Sequence, residues 1–132
     1  MKVILLNLKR FFTLKIRKRR RRRASNDLLV MMQAMPGYYP IDDINSGGLS
    51  FRYIENGARP KKGIYRIKLV VKGQSLSLRL LGKTVGDREI GSIAMQNQVI
   101  KRCNIRFELL DSSQKRILEE IIKGYTVNQP AY

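Results

Sequence analysis

The 132-residue chain carries 27 Lys and Arg against 10 Asp and Glu, a formal charge of +17, and no histidine. The missing histidine excludes imidazole general-base catalysis, His metal sites and Ser-His-Asp or Cys-His machinery. A single cysteine, Cys103, excludes an intrachain disulfide and a Cys-rich zinc site, and it suits a reducing compartment. A field this positive points to an anionic partner: a nucleotide, a nucleic acid or a membrane surface.

The excess is concentrated at the start, because residues 1–23 hold eleven basic side chains and no acid. At helical spacing Lys2, Lys9, Arg10, Thr13 and Arg17 gather on one side. Ile4, Leu5, Leu8, Phe11, Phe12 and Ile16 cover most of the other, so residues 1–16 are predicted to form a basic amphipathic leader helix. The longest uncharged run in it, residues 3–8, is far short of the roughly 20 residues that span a bilayer. It also lacks the long apolar stretch and small-residue cleavage site of a secretory signal. Such a helix docks on its own domain or a partner, or lies on an anionic membrane. Residues 17–27 follow as an Arg-rich arm, whose run from 17 to 23 is too charged for a core.

The body spans 28–124, before a tail at 125–132. Residues 28–33 read as a strand, and Pro36-Gly37 and Pro40 interrupt the pattern after it. Residues 42–48 have turn chemistry, with two acids, Asn, Ser and paired glycines. Residues 49–53 alternate as a strand does, 55–63 read as a loop, and 64–71 read as a half-buried strand. Leu76, Leu78 and Leu80 alternate strictly with Ser75, Ser77 and Arg79. Gly86-Asp87-Arg88 predicts a turn between 83–85 and 89–95, and 104–109 a last strand. Asp111 with Gln114 has the spacing of a capping box, and Ile117, Leu118, Ile121 and Ile122 then form one apolar stripe, with Gly124 as the expected stop. The fold class expected is mainly β. Six or seven short antiparallel strands form a small barrel or sandwich, with the C-terminal helix over one opening or edge.

The order of these features resembles the PilZ domain, the bacterial receptor module for the second messenger cyclic di-GMP. The resemblance covers residues 17–124. An R-x-x-x-R pattern lies within the arginine run before the first strand. Asp43-Ile44-Asn45-Ser46-Gly47-Gly48 follows as (D/N)-x-S-x-x-G with Asn45 in the serine position, and 105–107 and 111–123 take the places of the last barrel strand and the terminal helix. The resemblance implies cyclic di-GMP binding by Arg19, Arg23, Asp43, Asn45 and Gly48, with Arg17, Arg21, Ser46 and Gly47 as the second rank. Asp42 reads as a solvated neighbour of the turn.

The chemistry suits that ligand. A guanidinium pairs with phosphate oxygens or with guanine O6 and N7, and its flat face stacks on a base. A carboxylate such as Asp43 accepts from the ring N–H and amine of guanine. Gly47 and Gly48 are expected to allow close backbone approach and left-handed φ. The function expected is a cytoplasmic receptor or adaptor without catalysis, cofactor or metal. It clamps the dinucleotide between arm and turn and relays this to a protein partner, with peripheral inner-membrane contact through residues 1–16 as an added expectation. The alternatives are a nonspecific nucleic-acid-binding barrel, which the lack of an aromatic platform disfavours, and a degenerate interaction module that binds no nucleotide.

Overall fold

The computed structural model describes residues 22–55, 60–93 and 98–127; the leader and Arg17, Arg19 and Arg21 lie outside them. The elements are β1 (Arg22–Ala24), β2 (Leu28–Met32), β3 (Tyr39–Ile44), β4 (Gly48–Glu55), β5 (Ile64–Val71), β6 (Ser77–Ile93), β7 (Gln98–Glu108), α1 (Ser112–Tyr125) and β8 (Thr126–Val127). All pairings are antiparallel. The order β2-β5-β6-β7-β4-β3 closes on itself through a β2–β3 pairing, making a six-stranded barrel, with β1 and β8 added beside β3. The fold is thus mainly β, a closed antiparallel barrel with a C-terminal helix.

Side chains alternate across a strand, so every second residue enters the barrel. Leu28, Val30 and Met32 do so on β2, Ile67, Leu69 and Val71 on β5, Leu49, Phe51 and Tyr53 on β4, and Cys103, Ile105 and Phe107 on β7. The predicted capping box is present: the Asp111 carboxylate accepts from the Gln114 backbone N–H at 2.7 Å, and the Gln114 side chain accepts from the Asp111 N–H at 2.9 Å. Leu118 and Ile121 of α1 join the barrel core, with Ile117 and Ile122 packed at its margin.

Three expectations are corrected. Only residues 45–47 turn, because Asp42, Asp43 and Ile44 belong to β3. The register shifts between Ile41 and Asp43, a bulge at Asp42 that resets the period-two phase. Ile41 and Ile44, which plain alternation would send to opposite faces, are therefore both buried. The turn predicted at 86–88 does not form. β6 runs through it, and its turn-like residues serve two register shifts, between Thr84 and Gly86 and between Glu89 and Gly91. The chain reverses between Ile93 and Gln98 instead, which makes β7 longer than the expected 104–109. Gly124 does not stop the helix, which continues to Tyr125 and passes directly into β8. Strands β1, β3 and β8 were not marked as strands by the hydrophobic pattern, being short, charged or broken by a bulge.

Among the described residues no helix is long and apolar enough to cross a membrane.

At the head of β4 the barrel walls come close together. A Cβ on Gly48 would lie 2.2 Å from the Ile105 carbonyl oxygen of β7, a backbone atom that cannot move aside alone. Gly48→Ala is expected to destabilise the barrel by about 3 kcal/mol, the upper range for forcing extra atoms into a packed site; urea denaturation measures it.

Candidate functional site

The site is assembled around β1. This three-residue strand lies between β3 and β8, with Arg22 opposite Ile44 and Arg23 opposite both Asp43 and Val127. Ala24 is buried, and the Ser25 N–H donates to the Tyr125 carbonyl at 2.8 Å, tying the strand to the end of α1. The two described arginines of the run are thus held in a sheet. Adjacent residues of a strand face opposite ways, so Arg23 stands on one face with Asp43 and Arg22 on the other with Ile44.

The face of Arg22 opens into a groove of ≈ 490 Å³. Ile44 and Ile122 lie at its base, Arg22, Asn45 and Ser46 on the barrel side, and Arg116, Glu119, Glu120 and Lys123 on the helix side. The groove therefore offers three cations and two carboxylates within one concavity.

The turn beside it is built by Asn45. Its N–H donates to the Gly48 carbonyl at 2.9 Å, and its Oδ1 accepts from the N–H groups of Gly47 and Gly48 at 2.8 and 2.9 Å, an Asx turn. The Gly47 carbonyl accepts from the Phe107 N–H at 2.8 Å, which pins the turn to β7. Asn45 thus does a local job that a shorter Ser in its place would do differently. Neither Gly47 nor Gly48 has the left-handed φ expected of them; among the described glycines Gly37 and Gly73 do. Close approach, not φ, is what requires Gly48.

Of the residues singled out from sequence, Arg23, Asp43, Asn45, Ser46, Gly47 and Gly48 fall together at one end of β3 and the head of β4. Arg17, Arg19 and Arg21 lie outside the described residues. Missed were Arg22, which sits in the same arginine run but off the chosen spacing, and Arg116, Glu119, Glu120 and Lys123. Their signal was the polar stripe of α1 at spacings of three and four, opposite the apolar stripe that was read as core.

Asp42 is not a solvated neighbour. Its Oδ1 accepts from Arg52 Nε at 2.9 Å, and its Oδ2 lies 3.4 Å from Arg102 Nε, an ion pair whose geometry falls short of a hydrogen bond. Arg52 and Arg102 are register partners on β4 and β7. Two like charges directly opposite repel, and Asp42 between them offsets this.

The rings of Tyr39, Phe51 and Tyr53 pack on one another, with centroids 5.3 to 6.4 Å apart, so they form an internal cluster and not a stacking surface for bases. The Tyr53 hydroxyl donates to Asp87 at 2.7 Å, and Lys101 Nζ lies 3.8 Å from Asp87 and 3.5 Å from Glu55. Burial, and then the bond to Asp87, push the Tyr53 phenol well above its ordinary value. Burial pushes the Cys103 thiol up to about 12, which keeps it protonated and unreactive. Among the described residues no cluster of His, Cys, Asp and Glu could hold a metal ion.

Three solved structures share this fold. MrkH of K. pneumonia in its apo state superimposes with a TM-score of 0.62 at 12% identity, over 80% of this chain and 47% of that one. PlzA of Borreliella burgdorferi, solved in complex with c-di-GMP, gives 0.51 at 13% identity over 80% and 49%. The inhibitor of motility MotI/DgrA of Bacillus subtilis gives 0.51 at 13% over 80% and 50%. The fold is PilZ-like. The chain spans about half the length of each of these structures. No family model matches the sequence, and no curated protein matches it either.

Two outcomes follow for the polar groups described. Because the folded state holds the Tyr53 proton above its ordinary value near 10, the unfolded chain ionises first as the pH rises. The stabilisation is complete below about pH 10 and is lost above it. Urea midpoints should therefore fall on the alkaline side, and Tyr53→Phe should flatten that fall while costing about 1–2 kcal/mol at neutral pH for the lost bond. Asn45→Ala, which removes the acceptor for two backbone donors, should cost about 1–2 kcal/mol; thermal unfolding reads it.

Proposed function

We propose that this chain is a cyclic di-GMP receptor, a binding module without catalysis that clamps the dinucleotide between its Arg-rich arm and the end of β3 at Asp43 with the turn that follows it. The observation that carries this reading is the β1–β3 register. It pairs Arg23 with Asp43 on one face of β1, while Arg22 on the other face lines the groove beneath α1, in a fold shared with a protein solved in complex with c-di-GMP. The arginines suit the two phosphodiesters and the O6 and N7 edges of guanine. Carboxylates at or beside the groove suit the guanine N–H groups, which a site for phosphate alone would not need.

β1 also suggests the relay. It is three residues long, and β8 beside it continues directly from α1. A ligand that tightens or displaces β1 acts on the end of α1 with no intervening loop. Residues 1–16 precede the same arm and are the proposed output element, toward a protein partner or a membrane surface.

Calorimetry with cyclic di-GMP and with GTP tests the reading. A saturable heat with the cyclic dinucleotide alone is expected at micromolar protein. Asp43→Ala should weaken it about tenfold to a hundredfold, in line with about 1.5–3 kcal/mol for hydrogen bonds to charged groups. Arg23→Ala should lose less, since Arg22 and the residues before it supply further guanidinium groups. Nonspecific nucleic-acid binding requires the opposite sign, because removing the Asp43 charge would strengthen it. No heat from a folded chain overturns the proposal.

A further inference from the structure

A second concavity, of ≈ 420 Å³, lies on the outer face of β2, β5 and β6 and is lined by residues other than those of the Arg22 groove. Met31, Leu81 and Leu109 give it an apolar surface, and Arg66, Lys68 and Arg79 rim it. Lys68 and Arg79 are direct register partners on β5 and β6, with Arg66 one step along the same face of β5. Like charges directly opposite on paired strands destabilise a sheet. At Arg52 and Arg102 the chain answers the same problem with Asp42. At Lys68 and Arg79 it supplies nothing: neither these two nor Arg66 has an ion pair among the described residues, and the one acid lining the groove, Glu108, is bonded to Arg106 at 3.1 Å. Beside them Leu109 is 86% exposed and held at φ 51°, in the left-handed region that a bulky side chain rarely adopts. An uncompensated cation pair and a strained, exposed leucine border the same groove.

We propose that this groove docks a short segment of a partner protein in which carboxylates flank apolar anchors. The charge balance argues for an outside partner. Every Asp and Glu of the sequence lies within the described residues, so neither residues 1–21 nor 128–132 have an acidic side chain to offer, and the leader has the same sign as the rim. The concave shape suits inserted side chains better than a flat lipid surface. Carboxylates at the rim relieve the Lys68–Arg79 repulsion, and the apolar anchors cover Leu81 and Leu109. The inference is independent of the nucleotide reading, since none of its residues lies in the Arg22 groove, at the end of β3 or in the 45–47 turn.

The test titrates the isotope-labelled full chain with a short synthetic peptide of Leu and Phe anchors between Asp and Glu. The controls are the same peptide with Gln for the acids, the same peptide with Ser for the anchors, and phosphatidylglycerol vesicles. The acidic-apolar peptide is expected to bind saturably and more tightly than either control peptide, moving the amide signals of Met31, Lys68, Arg79 and Leu81, with affinity falling as salt rises. Lys68→Glu with Arg79→Glu should weaken it about tenfold or more, and Leu109→Ser should weaken it without that salt signature. Lys68→Thr should raise the melting temperature while weakening the peptide, because it removes the repulsion together with the contact. Asp43→Ala should leave peptide binding unchanged. Equal binding of the Gln or Ser peptide, indifference to the rim substitutions, signals moving elsewhere, or vesicles engaging the same residues more strongly than the peptide would each overturn the proposal.

Discussion

One edge of β3 carries the architecture. Its first residues pair with β2, Tyr39 with Val30 and Pro40 with Leu29, and this closes the barrel. Its last residues, Asp43 and Ile44, pair with β1 along the same edge. β1 and β2 therefore lie end to end against a single strand, separated by the short bend at Ser25–Asp27. The Asp42 bulge makes this workable, because it turns both Ile41 and Ile44 into the core while the edge changes partner. Without that phase change either an isoleucine would face outward or the two halves could not share one strand.

The proposed nucleotide site follows from this sharing. The arginine run would be a solvated arm if β3 had no edge left to offer. Because it does, two arginines are fixed in a ladder, one beside Asp43 and one over the groove beneath α1. The carboxyl end of α1 is bound into the same corner through Tyr125 and β8. Cation, carboxylate, turn and helix are thus coupled by backbone hydrogen bonds, which are short-ranged and directional. The barrel also separates its polar work by location. Asp42 and Asp87 face cations on the wall, and Asp87 also accepts the bond from the Tyr53 hydroxyl, whereas Arg66, Lys68 and Arg79 on the outer face have no ion pair among the described residues. Like charges opposed on a sheet are a cost, which a counter-charge from the proposed partner segment would relieve.

Strands with clean alternation were legible in the sequence. β5 has the bounds read from it, β2 falls one residue short of the reading, and the capping box of α1 forms as its spacing implies. The site was legible in part. Asp43, Asn45 and Gly48 were singled out, yet the structure gives Asn45 the building of a turn and Gly48 a close backbone approach. The helix residues that line the groove escaped notice because a polar stripe on an amphipathic helix looks the same whether it faces open solvent or a groove. The turn misread at 86–88 has a similar cause: Gly, Asp and Arg suit a bulge as well as a reversal, and only the partner strand tells which.

What the sequence determined by itself is therefore the local physics: period-two faces, a capped helix, a cationic run ahead of an acid-and-glycine turn, and a chemistry without histidine or paired cysteine. These depend on residues close in the chain. Tertiary structure alone decided which strand offered its edge to the arginines, how two bulges carried β6 past a predicted turn, and which cations met an acid. Each of these depends on a partner far along the chain, at a register that hydrogen bonding and core packing set together.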